Sequence, residues 1–153
     1  MATEIERKYL VTGDQWRDGA VGSQFRQGYL ARDPGRSVRV RIAADEAWLN
    51  IKGATKGISR QEFEYRIPLD DALALLALSV DPPIEKTRYL IKHEGHLWEV
   101  DEFHGANDGL LVAEIELESE SNEFPLPPWV GDEVSGDPRY CNACLSKRPF
   151  RTW

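Results

Sequence analysis

From Thr3 to Val11 polar and apolar positions alternate, with Glu4, Glu6 and Lys8 at every second place. Residues two apart on an extended chain share a face, so two carboxylates and an ammonium line one wall of a first strand. Same-face neighbours start about 7 Å apart, close enough for Glu4 and Glu6 to repel each other unless a cation lies between them.

The same alternation predicts seven more strands. Gln24 to Arg32 is the second, closed by the turn signal Asp33-Pro34-Gly35. Arg36 to Ala43 sets Arg39 and Arg41 opposite Val38, Val40 and Ile42; Ala47 to Gly53 sets Trp48, Asn50 and Lys52 opposite Leu49 and Ile51. Ser59 to Ile67 carries Arg60, Glu62, Glu64 and Arg66 on one side and Phe63, Tyr65 and Ile67 on the other. Ile84 to Lys92 pairs Lys86 with Arg88 on one face, and a turn follows at His93-Glu94-Gly95. His96 to His104 sets Glu99, Asp101 and Phe103 opposite Trp98 and Val100, and Leu110 to Glu118 sets Glu114 and Glu116 opposite Ala113 and Ile115.

Between the fifth and sixth strands Pro68 stops the extended pattern and Asp70 to Ser79 reads as a helix, acids in its first turn. Pro82 and Pro83 end that crossover. The pattern dissolves over Phe124 to Trp129, and Asp137 to Leu145 suits a final short helix capped by Asp137. Consecutive strands with short turns predict an antiparallel meander. Closing it into an eight-stranded barrel removes both unpaired edges, giving a mainly β (α+β) fold with a few outer helices.

An ordinary barrel buries its apolar alternates and wets the charged ones. Here Glu4/Glu6, Arg39/Arg41, Glu62/Glu64, Lys86/Arg88 and Glu114/Glu116 are same-sign pairs two residues apart, where a face built for solubility would mix signs. Segregated acids and bases suit separate duties: carboxylates hold hard divalent cations, while arginine and lysine hold phosphate oxygens. A charged face turned inward around a hydrated tunnel answers both, with the apolar face outward under the helix and the C-terminal segment.

The order of these residues resembles the triphosphate tunnel metalloenzymes, the CYTH superfamily. The resemblance rests on Glu4-x-Glu6-x-Lys8, Arg39-x-Arg41, Lys52, Arg60-x-Glu62-x-Glu64, Lys86-x-Arg88, Asp101 and Glu114-x-Glu116 on successive strands. The stretch from Val134 to Asn142 is similar to the family's closing segment, with Ser135 in place of threonine and Cys141 in place of serine. The resemblance implies a tunnel fold and metal-dependent chemistry on triphosphates.

On that footing Lys8, Arg39, Arg41, Lys52, Lys86 and Arg88 are expected to bind substrate. Glu4, Glu6, Glu62, Glu64, Asp101, Glu114 and Glu116 are expected to hold Mg²⁺ or Mn²⁺: Glu4 and Glu6 with Glu114 or Glu116 for one ion, Glu62 and Glu64 with Asp101 for a second. Lys8, Lys86, Glu62 and Glu64 are the candidates for chemistry, with Lys8 or Lys86 assisting the water, the attacked phosphoryl or the leaving group. Arg60 and Arg66 suit ion pairs with Glu62 or Glu64.

The chain of 153 residues suits one domain, 1–153. With 26 acids against 19 bases its formal charge of −7 disfavours a nucleic-acid partner. No apolar run spans a bilayer and the N-terminus shows no signal-peptide core, so a cytoplasmic location is expected. Cys141 and Cys144 read as two reduced thiols on a C-terminal helix, His93-x-x-His96 as a turn without further ligands, and no P-loop is present. The expected reaction is hydrolysis of inorganic triphosphate to pyrophosphate and phosphate. The alternatives are a thiamine or nucleoside triphosphatase, a class IV adenylyl cyclase-like enzyme, or a noncatalytic polyphosphate-binding module. Oligomeric state is not legible.

Overall fold

The structure, a computed structural model, describes residues 3–153. Its strands are β1 (Thr3–Val11), β2 (Val21–Asp33), β3 (Arg36–Ala43), β4 (Glu46–Gly53), β5 (Ser59–Ile67), β6 (Ile84–His93), β7 (His96–Phe103), β8 (Leu111–Glu116) and β9 (Val130–Glu133). Eight close into an antiparallel ring, β1-β5-β4-β3-β2-β6-β7-β8 and back to β1.

The ring is not a meander. Between β1 and β2 the chain makes a 3₁₀ turn, Gln15–Arg17, that buries Trp16. Helix α1 (Leu69–Leu76) then carries it over the outside, so that β6 pairs with β2 and β5 is left to pair with β1. The seam between β1 and β8 forms as expected, from Glu6 opposite Glu116 to Leu10 opposite Val112. β9 follows directly on the proline-rich stretch from Phe124 to Trp129. It extends β1 beyond the reach of β5, with Tyr9 opposite Glu133.

Charged alternates face inward and most apolar alternates face outward under cover. Ala72 and Leu76 of α1 cover Val40, Ile42 and Ala47. The helix is shorter than expected: it stops at Leu76, and Leu78 and Ser79 continue in turns. Ser79 rests on β2 only because Gly28 has no side chain; a Cβ there would land on Ser79 Oγ and sit 3.1 Å from Leu76. Elsewhere Tyr9, Trp98, Val100 and Ile115 pack under Trp16 and Trp129.

The C-terminal segment does more than cover the outer face. Ile84, Phe103 and Val112 share their strand faces with Lys86, Asp101 and Glu114, so they point into the barrel, where they pack with Val134, Tyr140 and Leu145. Helix α2 (Asn142–Lys147) thus stops one end of the barrel with apolar side chains. The reading of Cys141 and Cys144 as separate thiols is corrected: they form a disulfide across the first turn of α2, where Cys141 is the N-cap and its Sγ accepts from the Cys144 amide at 3.1 Å.

Candidate active site

Inside the ring, above the α2 stopper, lies a cavity whose wall is almost wholly charged. Glu4, Glu6 and Lys8 of β1, Arg39 and Arg41 of β3, Lys52 of β4, Glu62 and Glu64 of β5, Arg88 of β6, and Glu114 and Glu116 of β8 all line it. Strand alternation explains the convergence, since each residue occupies the inward register of its strand.

Lys86 and Asp101 stand elsewhere. Both are fully buried in the wall, 1 % and 0 % exposed, with Lys86 Nζ donating to Asp101 at 2.7 Å. Arg88 donates through Nε and Nη2 to the two oxygens of the same carboxylate, each at 2.8 Å. Asp101 therefore anchors two bases, its two oxygens accepting from Lys86 and Arg88. Burial opposes its charge, but Arg88 and Lys86 override it and hold the carboxyl well below the usual aspartate range. Burial pulls Lys86 down to about 8, with Arg88 and Arg39 adding to the effect against Asp101.

The remaining bases differ in how far they are satisfied. Lys52 donates to both oxygens of Glu4, at 3.2 and 3.0 Å, and lies 3.2 Å from Glu62. Burial works against the Glu4 charge, yet Lys52 holds it down to about 2. Lys8 is 3.7 Å from Glu114 and donates to the Tyr140 carbonyl at 3.5 Å. Arg41 makes one long contact, 3.4 Å to Glu64, whose same oxygen accepts from Asn50 at 2.7 Å. Arg39 is 7 % exposed; its side chain makes no hydrogen bond or ion pair among the described residues, and its Nε is buried without a partner. Burial and the Arg39 charge together lower Arg41.

The acids on the β1–β8 wall are short of positive charge. Burial pushes Glu6 up to about 8, with Glu114 and Glu4 adding repulsion. Glu116 is raised by burial and by Glu4, and Glu62 by burial and its contact with Glu4. Glu114 is the exception: burial opposes it, but Lys8 and Arg88 keep it ionised. Among the described residues no three acidic, histidine or cysteine side chains are already drawn together around a point. The donor set is nonetheless all oxygen and under-compensated, which fits a hard divalent cation.

Phe25, Tyr29, Arg60, Glu99 and Asn142 also line the cavity. Arg60 approaches Glu4 at 3.6 Å and Arg66 pairs with Glu46 at 3.1 Å, so both form ion pairs with other partners than expected. Asn142, from α2, accepts from Gln27 at 3.0 Å and from Lys86 at 3.5 Å. Phe25 and Tyr29 carry no charge, so a sign pattern could not flag them; their even spacing with Gln27 on β2 was the available signal.

The sequence model of the CYTH domain matches residues 2–141. An inorganic triphosphatase of Acetivibrio thermocellus is 49 % identical over 154 residues, covering 100 % of this chain and 99 % of its own. An inorganic triphosphatase of Nitrosomonas europaea is 38 % identical over 150 residues, covering 94 % of this chain and 97 % of its own. A crystal structure of an inorganic triphosphatase superposes with a TM-score of 0.67 at 35 % identity, covering 95 % of both chains. A Pyrococcus horikoshii protein shares the fold at TM-score 0.61 and 19 % identity, over 76 % of this chain and 79 % of that one.

Proposed function

This chain belongs to the CYTH domain family, and from that premise we propose that it hydrolyses inorganic triphosphate to pyrophosphate and phosphate inside its barrel. The observation that carries the reading is Arg39. A guanidinium buried in a tunnel wall with no carboxylate beside it is costly unless an anion completes it, and Arg41 lies close enough to repel it. Triphosphate oxygens supply that anion, gripped most rigidly by planar arginine forks.

Arg39, Arg41, Arg88, Lys52 and Lys8 then bind the phosphoryl oxygens. Phosphoryl transfer asks little covalent help, so this charge neutralisation and alignment supply most of the acceleration. Lys86, with its value near 8, is the amine of the site best matched to take a proton from the attacking water, with Asn142 bonded to it at the tunnel surface. Glu6 and Glu116, with Glu114 and Glu4 beside them, would hold Mg²⁺ or Mn²⁺, and Glu62 and Glu64 would serve a second ion. A bound divalent ion neutralises substrate charge and acidifies water.

Inorganic triphosphate is favoured over thiamine or nucleoside triphosphates because Trp48 and Phe103, on inward registers, each carry a cation over the ring. Arg41 covers Trp48 at 5.2 Å and Lys86 covers Phe103 at 5.6 Å, so neither ring face is bare for a base or thiazole. The partner proposed is this small anion alone, acting on a single domain in the cytoplasm; no helix among the described residues is long and apolar enough to cross a membrane. Calorimetric titration with inorganic triphosphate tests the reading. Arg39→Ala is expected to weaken binding roughly tenfold to a hundredfold, the worth of charge-assisted hydrogen bonds; unchanged affinity would contradict it.

A further inference from the structure

Among the residues lining the cavity, Phe25 alone has a side chain without a polar atom. Its ring centre lies 5.2 Å from the guanidinium carbon of Arg88, 5.3 Å from that of Arg41 and 5.8 Å from Lys86 Nζ. Beyond Lys86 stands Phe103 at 5.6 Å, and beyond Arg41 stands Trp48 at 5.2 Å. Register builds this row: Lys86 pairs with Phe25 on β2 and with Phe103 on β7, while Arg41 pairs with Trp48 on β4. Ring, cation, ring, cation, ring thus alternate across five neighbouring strands.

We infer that Phe25 is a positioning residue, holding Arg41 and Arg88 in place by its ring faces so that their charge stays available to the substrate. The argument is electrostatic. Three like charges gathered at one wall repel, and Arg39 and Arg88 both push against the charged form of Arg41. A carboxylate at position 25 would hold them more strongly, but it would occupy their N–H donors and cancel the charge that an anion needs. An aromatic face attracts cations within about 6 Å through its quadrupole and has no net charge to cancel theirs. Asp101 and Glu64 already hold one side of Arg88 and Arg41; the ring steadies them without a further acid.

This inference rests on the reading of the tunnel as a triphosphate site. Three replacements separate the ring's electrostatics from its bulk. Phe25→Leu keeps an apolar side chain without the π face, Phe25→Tyr keeps the face, and 3,4,5-trifluorophenylalanine keeps the shape while stripping the face of its negative charge. Two readouts are taken on each full-length variant: KM for inorganic triphosphate, and the melting-temperature shift it produces in EDTA. Expected are a KM about tenfold higher and a diminished shift for the Leu and trifluoro variants, kcat changing less than KM, and both values near wild type for Tyr. Leu and trifluoro variants that match wild type, or a Tyr variant as weak as Leu, would overturn it. If Leu does not fold, the trifluoro and Tyr proteins decide between the same outcomes. A wild type that binds triphosphate but releases no phosphate would sink the hydrolase reading, and the melting shifts would still judge Phe25.

Discussion

Glu6 stands directly opposite Glu116 across the β1–β8 pairing, and neither side chain has a hydrogen bond or ion pair among the described residues. Like charges facing each other on neighbouring strands destabilise a sheet. Burial and the Glu114 and Glu4 charges raise Glu6 to about 8, so the metal-free seam carries the cost of keeping this carboxyl protonated near neutral pH, a cost that a divalent cation would relieve. Glu6→Gln is expected to raise the stability of the metal-free protein, by roughly 1 kcal/mol after screening by tunnel water. It is also expected to lose most of the melting-temperature gain that Mg²⁺ or Mn²⁺ gives the wild type. Thermal denaturation in EDTA and with each metal checks both. A variant less stable in EDTA that keeps the full metal shift would show that the seam needs no cation.

Asp101 is the counterpart inside the wall, an acid with two cations. Its folded value lies below the unfolded value near 3.9, so its contribution is complete above about pH 4 and is lost as the pH falls further. Asp101→Asn leaves Lys86 and Arg88 buried and under-compensated, a loss of about 3–5 kcal/mol at neutral pH. Urea denaturation should show that gap near pH 7 and a narrowing gap toward pH 3. A gap that stays constant with pH would mean that the bases find other partners.

Lys86 must be neutral to accept a proton. With its value near 8, the neutral fraction rises about tenfold per pH unit below that point and levels above it. kcat is expected to climb through about pH 8 and then flatten. In Lys86→Arg the group stays charged, so the rising limb should vanish and activity fall by about a hundredfold or more. A full pH–rate profile of both proteins measures this, and an unchanged limb in the variant would assign the proton elsewhere.

Gly28 sits where the turn after α1 meets β2. Gly28→Ala is expected to destabilise by about 1–3 kcal/mol, because Ser79 Oγ occupies the place of the new Cβ. Adding Ser79→Ala should return part of that loss. Chemical denaturation of the two single variants and the double variant tests whether this contact, rather than β2 itself, carries the cost.

The inward face of the barrel was legible because its residues are charged and evenly spaced. β1, β3 and β5 begin and end where alternation places them, and Arg39, Arg41, Glu62 and Glu64 face inward by parity alone. Pairing partners were not legible: nothing local to β1 says that it meets β5, since that contact depends on α1 carrying the chain over the outside. β9 lacks a signal for a similar reason, being only Val130–Glu133 and defined by the free edge of β1. Asp101 looked like its acidic neighbours, because only the pairing of β6 with β7 reveals Arg88 directly opposite. Phe25 was hidden in a strand whose arginines, Arg26 and Arg32, are turned outward to Glu85 and Asp81.

Phosphate release from inorganic triphosphate, ATP and thiamine triphosphate, each with Mg²⁺, Mn²⁺ or EDTA, tests the central claim most directly. The expected result is metal-dependent release fastest from inorganic triphosphate, with one phosphate and one pyrophosphate from each molecule cleaved. No release from inorganic triphosphate with either metal, while it still raises the melting temperature, would contradict hydrolysis and leave a polyphosphate-binding barrel.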